Sequence, residues 1–239
     1  MTEFFYKLKY FILNTLFPNK CINCGKTGDF LCKKCFDLIN KINLNKCLFC
    51  GKDCFFGICE KCSSEKFFNG IFCLFHYKDV KLLIKDMKYN GFYDICRFFG
   101  EILGNFYLEN NISSYFENYN ILLIPVPMHK KRLKKRGYNQ ALKISEAFSY
   151  KTKINIYDRI LFRTRNTIKQ ATLSEKERIK NLKGVFDCDL GLISKLDLEN
   201  TVVLLLDDVI TTGSTVSECS LCLRKYGFKK IYIIAIAKA

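Results

Sequence analysis

Residues Val202 to Leu206 form an uninterrupted apolar run, followed at once by Asp207, Asp208 and Val209-Ile210-Thr211-Thr212-Gly213-Ser214-Thr215. A run this rich in Val and Leu reads as a strand buried on both faces, the kind found in parallel sheets. Two carboxylates at the end of a buried strand are costly unless something hydrogen-bonds them. The small-residue loop then enters a helical pattern carrying Val216, Cys219 and Leu223. Strand, acidic pair, loop and helix start together make a place to hold a sugar phosphate. The helix dipole and its unpaired N–H groups take the phosphate, and the carboxylates accept hydrogen bonds from sugar hydroxyls.

The other constraint is cysteine. Nine of the fourteen cysteines lie between Cys21 and Cys62, and eight of these form the pairs Cys21/Cys24, Cys32/Cys35, Cys47/Cys50 and Cys59/Cys62. Each pair can bring two thiolates to one tetrahedral ion at about 2.3 Å. The halves resemble one another: Cys-Ile-Asn-Cys-Gly-Lys then Leu-Cys-Lys-Lys-Cys, and Cys-Leu-Phe-Cys-Gly-Lys then Ile-Cys-Glu-Lys-Cys. The simplest reading is a double zinc ribbon with four thiolates per ion. Sequential pairing is preferred because each half carries the full pattern; crossed pairing or a single occupied site stays open. Four thiolates leave no open coordination position, so the zinc is structural, and its binding supplies folding free energy that so small a region lacks. Cys54 is a spare thiol, while Cys73, Cys96, Cys188, Cys219 and Cys222 stand in apolar or helical contexts and read as core.

A secreted chain could use this many cysteines for disulfides. The N-terminal segment, however, is broken by Lys7 and Lys9 and lacks a small-residue cleavage site, so no secretory signal is expected. Its apolar residues at 4, 8, 11, 12, 15 and 16 fit one face of an amphipathic helix over 1–18, packed on the protein body or lying on a membrane surface. No apolar run is long enough to span a bilayer, and a cytoplasmic location is expected. The net charge of +16 favours polyanionic partners, nucleic acid or polyphosphate ligands.

Between these features, Ile71–Tyr77 reads as a strand. A helix with Val80, Leu83, Ile84 and Met87 on one face follows, then another through Phe98, Ile102, Leu103 and Phe106, with Lys88-Tyr89-x-Gly91 at the break. Ile121–Pro127 reads as the next strand. It runs into 130–136, where six of seven residues are basic, read as a loop at the strand end where ligands of α/β sheets bind. An extended piece at 160–162 precedes a polar, basic stretch (Arg163, Arg165, Lys169, Gln170) and a helix starting with the capping-box pattern Ser174-x-x-Glu177. Such a stretch suits a mobile loop over a phosphate ligand. Lys230–Ala237 closes the sheet as a strand beside the acidic one.

The acidic motif resembles the PRPP-binding signature of type I phosphoribosyltransferases. The ordered set of paired knuckles, Lys88-Tyr89-x-Gly91, Pro125-Val126-Pro127, Arg136-Gly137-Tyr138-Asn139-Gln140, Arg165-Asn166-Thr167-x-x-Gln170, Arg178-x-x-Asn181 and the acidic motif is similar to the ComF (ComF/GntX) family of competence-associated proteins. The resemblance implies an α/β fold: a type I phosphoribosyltransferase-like, mostly parallel sheet with flanking helices over 70–239, preceded by a small zinc ribbon domain over 19–66. It implies Asp207 and Asp208 on the ribose 2′- and 3′-hydroxyls and Thr211, Thr212, Gly213, Ser214 and Thr215 around the 5′-phosphate. Arg132 and Arg136 would form a pyrophosphate loop, with Arg163, Arg165, Lys169 and Gln170 on a flexible loop. Mg²⁺ would accompany PRPP, and single-stranded DNA, a competence helicase or DNA-processing proteins would be partners in DNA uptake. Whether the domain acts as a phosphoribosyltransferase on a nucleobase or amine, or only binds, is left open. Purine-salvage members carry an Asp where this chain has Thr211, whose hydroxyl cannot exchange protons with a base at neutral pH; a hypoxanthine/guanine activity is therefore not expected.

Overall fold

The computed structural model describes residues 18–89, 93–165 and 184–239. The expected N-terminal helix, Gly91, Lys169, Gln170, the capping box at 174–177, Arg178 and Asn181 lie outside them. The chain divides into two compact units, 1–40 and 41–239. In the first, helix α1 (Lys33–Leu38) carries the buried Cys35, and a bridge pairs Lys20 with Thr27.

The larger unit begins with the second cysteine set, whose last pair is joined by helix α2 (Glu60–Lys66). Its sheet contains β1 (Gly70–His76), β2 (Asn120–Pro125), β5 (Thr201–Ile210) and β6 (Lys230–Lys238), in the order β1-β6-β5-β2. Every pairing is parallel, as the apolar runs required. β5 is buried from Thr201 through Leu206, and each such Val or Leu contributes about 1.5–3 kcal/mol of burial. The parallel sense brings the C-terminal ends of all four strands to one edge. β2 stops at Pro125, opposite Leu206, so β5 runs on past it and presents Asp207 and Asp208 beyond its neighbour's end.

Helices α3 (Tyr77–Tyr89) and α4 (Tyr93–Glu109) connect β1 to β2, with α5 (Lys130–Arg136) and α6 (Gln140–Thr152) after β2. α3 buries Val80, Leu83, Ile84 and Met87, the face its spacing predicts. α4 differs: its buried face is Ile95, Cys96, Phe99, Gly100, Leu103, Gly104 and Tyr107, rotated by about one residue from the expected one. The reason is close helix contact. A Cβ on Gly100 would sit 2.4 Å from the Ile144 carbonyl oxygen, and one on Gly104 would sit 2.7 Å from the Lys151 Cβ. Glycines four apart make a groove that receives α6, and the large side chains turn to fit it.

A second, two-stranded antiparallel sheet pairs β3 (Leu161–Arg163), the extended piece expected at 160–162, with β4 (Phe186–Cys188), which hydrophobic patterning had not revealed. A short helix α7 (Leu190–Ile193) leads to β5, and α8 (Ser214–Lys225) joins β5 to β6, burying Val216, Cys219, Ser220, Cys222 and Leu223. No helix among the described residues is long and apolar enough to cross a membrane.

Candidate functional site

In each cysteine set the four sulfurs lie within 4.8 Å of one another: Cys21, Cys24, Cys32 and Cys35 in the first unit, and Cys47, Cys50, Cys59 and Cys62 in the second. Cys24 and Cys32 Sγ are 3.7 Å apart, Cys50 and Cys59 Sγ 3.5 Å. A tetrahedron of sulfurs about 2.3 Å from a central ion has edges of about 3.8 Å, so the pairs combine sequentially, at a spacing that fits a thiophilic ion. The four thiols of each set are not alike. Burial would raise the Cys21 and Cys47 thiols, but nearby backbone N–H groups outweigh it and hold both at about 6. Burial and the neighbouring sulfurs push Cys35 and Cys62 up to about 12. Four sulfurs at this spacing could hold a structural zinc ion, whose charge would keep all four as thiolates.

The acidic pair stands at the C-terminal edge of the sheet. Lys88, at the end of α3, reaches Asp208 with Nζ–Oδ1 of 2.9 Å; the two side chains are 23% and 13% exposed. Burial pulls the Lys88 ammonium down, but Asp208 and Asp207 outweigh it and hold it above its usual value. Asp207 points to the other face of β5, as strand alternation demands. Burial, then the charge of Asp208, push its carboxyl up to about 7, although Lys88 and Arg163 oppose the rise.

In the sequence Lys88 stands in the Lys88-Tyr89-x-Gly91 motif at a helix break with no role of its own, and the residues that aim it explain the Arg-Gly-Tyr-Asn-Gln motif. Gly137 takes φ +86° and ends α5. Tyr138, 4% exposed, donates its hydroxyl proton to the Met87 carbonyl oxygen, beside Lys88. Asn139 caps α6 by accepting from the Ala141 N–H at 3.2 Å and donates to the Val126 carbonyl at 3.1 Å, tying in the end of β2. Arg136 donates to Gln140 Oε1 at 2.9 Å. The motif fastens α3, β2 and α6 together around the acidic pair.

The basic run is a helix rather than the expected loop. Lys and Arg favour helix, His129 caps its start by accepting from the Lys131 N–H, and Gly137 supplies the left-handed stop. The helical turn sorts its charges. Arg132 and Arg136, four apart, are half-buried; Lys130, Lys131, Lys134 and Lys135 are exposed. Arg136 lies over the Tyr89 ring at 5.6 Å. Burial and Arg136 lower Arg132, and burial with Arg132 lowers Arg163 to about 10 despite Asp207. Arg163 stands over the Phe186 ring at 5.4 Å. Lys88, Arg132, Arg136 and Arg163 thus share one electrostatic neighbourhood with Asp207 and Asp208, while Arg165 is exposed on the bend after β3.

The loop expected to hold phosphate follows β5. Gly213 takes φ +81° as the N-cap of α8, and the Thr212 hydroxyl accepts from the Ser214 N–H at 3.4 Å. Thr212 and Ser214 hydroxyls lie 2.7 Å apart; Thr211 is exposed and Thr215 half-buried. The second cysteine set touches this loop: Lys66 Nζ donates to the Thr212 carbonyl at 2.9 Å and lies 4.4 Å over the Phe49 ring. A Cβ on Gly213 would come to 3.0 Å from Phe49. A groove of about 750 Å³ opens there, lined by Phe49, Lys52, Lys61, Lys66, Thr212 and Lys238.

No family model matches. The chain is 41% identical over 117 residues to competence protein F of Haemophilus influenzae, covering 49% of this chain and 50% of that protein. It is 28% identical over 116 residues to the DNA utilization protein YhgH of Escherichia coli K12, covering 48% of each. It is 27% identical over 119 residues to competence protein ComFC of Bacillus subtilis, covering 50% of this chain and 45% of that one. Among solved structures, a hypoxanthine phosphoribosyltransferase from Staphylococcus aureus aligns with a TM-score of 0.37 and 12% identity, over 61% of this chain and 64% of that one. The chain spans about half the length of the curated relatives it matches, and over that stretch it is similar to proteins named for competence and for DNA utilization.

Proposed function

We propose that this chain binds PRPP with Mg²⁺ at the C-terminal edge of its parallel sheet and takes part in handling single-stranded DNA during uptake. The observation that carries the ligand reading is the acidic pair of β5, set between four cations and the start of α8. The Gly213 loop and the N–H groups of α8 take the 5′-phosphate. Asp207 accepts from a ribose hydroxyl, and Arg132, Arg136 and Arg163 take the pyrophosphate, whose oxygens also carry the Mg²⁺. The exposed lysines of α5 point away from that site and suit a phosphate backbone. The relatives' names, competence protein and DNA utilization protein, favour the DNA part. Exposed Lys130, Lys131, Lys134 and Lys135 give it a surface.

Calorimetry of Mg²⁺–PRPP against wild type and Asp207→Ala/Asp208→Ala tests the ligand. Binding should be lost in the double variant; no heat with wild type sinks the proposal. Single-stranded DNA affinity should fall steeply with salt and with charge reversal at Lys130, Lys131, Lys134 and Lys135. Indifference to both would remove the DNA part.

A second reading, an active phosphoribosyltransferase, is favoured by the arginine cluster. Charge developing on departing pyrophosphate would be stabilised by Arg132, Arg136 and Arg163, and positive charge at ribose C1 by the carboxylates. Pyrophosphate release in the presence of DNA, nucleobases or amines tests it; absence of release with all acceptors leaves a binding protein.

A further inference from the structure

Cys188 ends β4 and Cys222 lies in the third turn of α8; both are buried, 5% and 7% exposed, with their sulfurs 3.7 Å apart. We propose that these two thiols are a dithiol–disulfide pair that covalently fastens the β3–β4 hairpin to α8 when a low-molecular-weight disulfide is present. The sulfurs need only close from 3.7 Å to about 2.05 Å, within reach of side-chain rotation.

The elements they join are those that build the site. β3 carries Arg163 beside Asp207, and α8 starts at the phosphate loop. Without the bond, polar contacts at the rim hold the hairpin to the helix: the Gly184 N–H donates to Glu218 Oε1 at 2.6 Å, and the Tyr226 hydroxyl donates to Asp187. A cavity of about 340 Å³ opens beside Cys222, between Asp187, Glu218, Lys225 and Tyr226, and gives a small disulfide access. Access separates the two roles. Cys222 lines that cavity and Cys188 does not, so Cys222 is the sulfur that a small disulfide reaches first.

The chemistry balances. The Cys222 thiolate attacks one sulfur of glutathione disulfide, forms a mixed disulfide and expels one glutathione thiolate. Cys188 then attacks the Cys222 sulfur and expels the second glutathione. Two protein thiols lose two electrons, one glutathione disulfide becomes two thiols, and the protons of the cysteines end on the released glutathione. The bond itself does not depend on the ligand reading; any effect on PRPP does.

The test uses the full, zinc-loaded chain, in which the metal protects the knuckle cysteines. It is equilibrated in graded glutathione buffers, alkylated, and mapped by peptide mass. The expected result is a Cys188–Cys222 linked peptide two hydrogens lighter than the free pair, with a midpoint of thermal unfolding raised by about 5–10 °C. Cys188→Ala should stop at a glutathione adduct on Cys222, and Cys222→Ala should remove both adduct and shift. Cys188 and Cys222 alkylating as free thiols at every ratio, in protein whose circular dichroism is unchanged, would overturn the proposal. A linked peptide in protein that binds no PRPP would uphold the redox pair and defeat only the ligand reading.

Discussion

The two cysteine centres share ligand chemistry and differ in what their neighbours hold. In each, two Cys-x-x-Cys pairs come together, with Cys24 and Cys32 eight residues apart and Cys50 and Cys59 nine. The first completes itself within residues 18–40, around α1. The second continues through α2 into Lys66, which grips the Thr212 carbonyl, and presents Phe49 to Gly213. A repeated motif therefore does not mean a repeated role. The second centre buttresses the loop after β5, through Lys66 and Phe49.

The largest expected effect breaks that comparison directly. Cys62→Ser removes a ligand from the second centre, and Cys35→Ser the equivalent ligand from the first. Ion binding supplies most of the folding free energy of such small sites, so each variant should lose zinc on metal analysis. Only Cys62→Ser should weaken PRPP binding, by at least tenfold. Equal weakening by both would show that the centres are equivalent after all.

Next comes the pair behind the loop. Lys88→Met leaves Asp208 buried without its cation and should cost about 2–3 kcal/mol in urea unfolding, less than a fully buried pair because both side chains keep some exposure. A cost below 0.5 kcal/mol would mean the pair is as weak as a surface one. Gly213→Ala follows, with a cost of about 1–2 kcal/mol from the left-handed backbone alone. Adding Phe49→Ala should relieve the close approach but not the backbone strain, so a partial rescue separates the two causes.

The smallest effect is on pH. The Asp207 carboxyl is held at about 7, above the unfolded value near 4. Between those values the native state keeps a proton that the unfolded chain has lost, so this group's contribution to stability falls as pH rises through that window. PRPP binding should move the opposite way and strengthen as pH rises from 6 to 8, because the ionised carboxylate is the better acceptor. Asp207→Asn should flatten both profiles; unchanged profiles would assign the titration to another group.

Much of this arrangement is legible in the chain because it depends on local pattern. The strands from Ile71, Ile121, Val202 and Lys230 and the buried face of α3 follow from apolar periodicity, and the cysteine sets follow from spacing. The rest depends on tertiary partners. The α4 face is turned by Gly100 and Gly104 meeting α6, which no single-helix pattern contains. β4 is three residues long and finds its partner across the segment 164–185. The run 130–136 looks like a loop by charge, yet its helical turn is what directs two arginines inward and four lysines outward. Lys88 was missed because its partner is far away in sequence, although Tyr138 in the Arg-Gly-Tyr-Asn-Gln motif was the available signal.

The measurement that bears most directly on the account is one calorimetric series: Mg²⁺–PRPP titrated into wild type, Asp207→Ala/Asp208→Ala, Cys35→Ser and Cys62→Ser. The account predicts saturable binding to wild type and Cys35→Ser, weaker binding to Cys62→Ser, and none to the aspartate double variant. Binding that survives loss of both aspartates, or that falls equally with either cysteine, would contradict it.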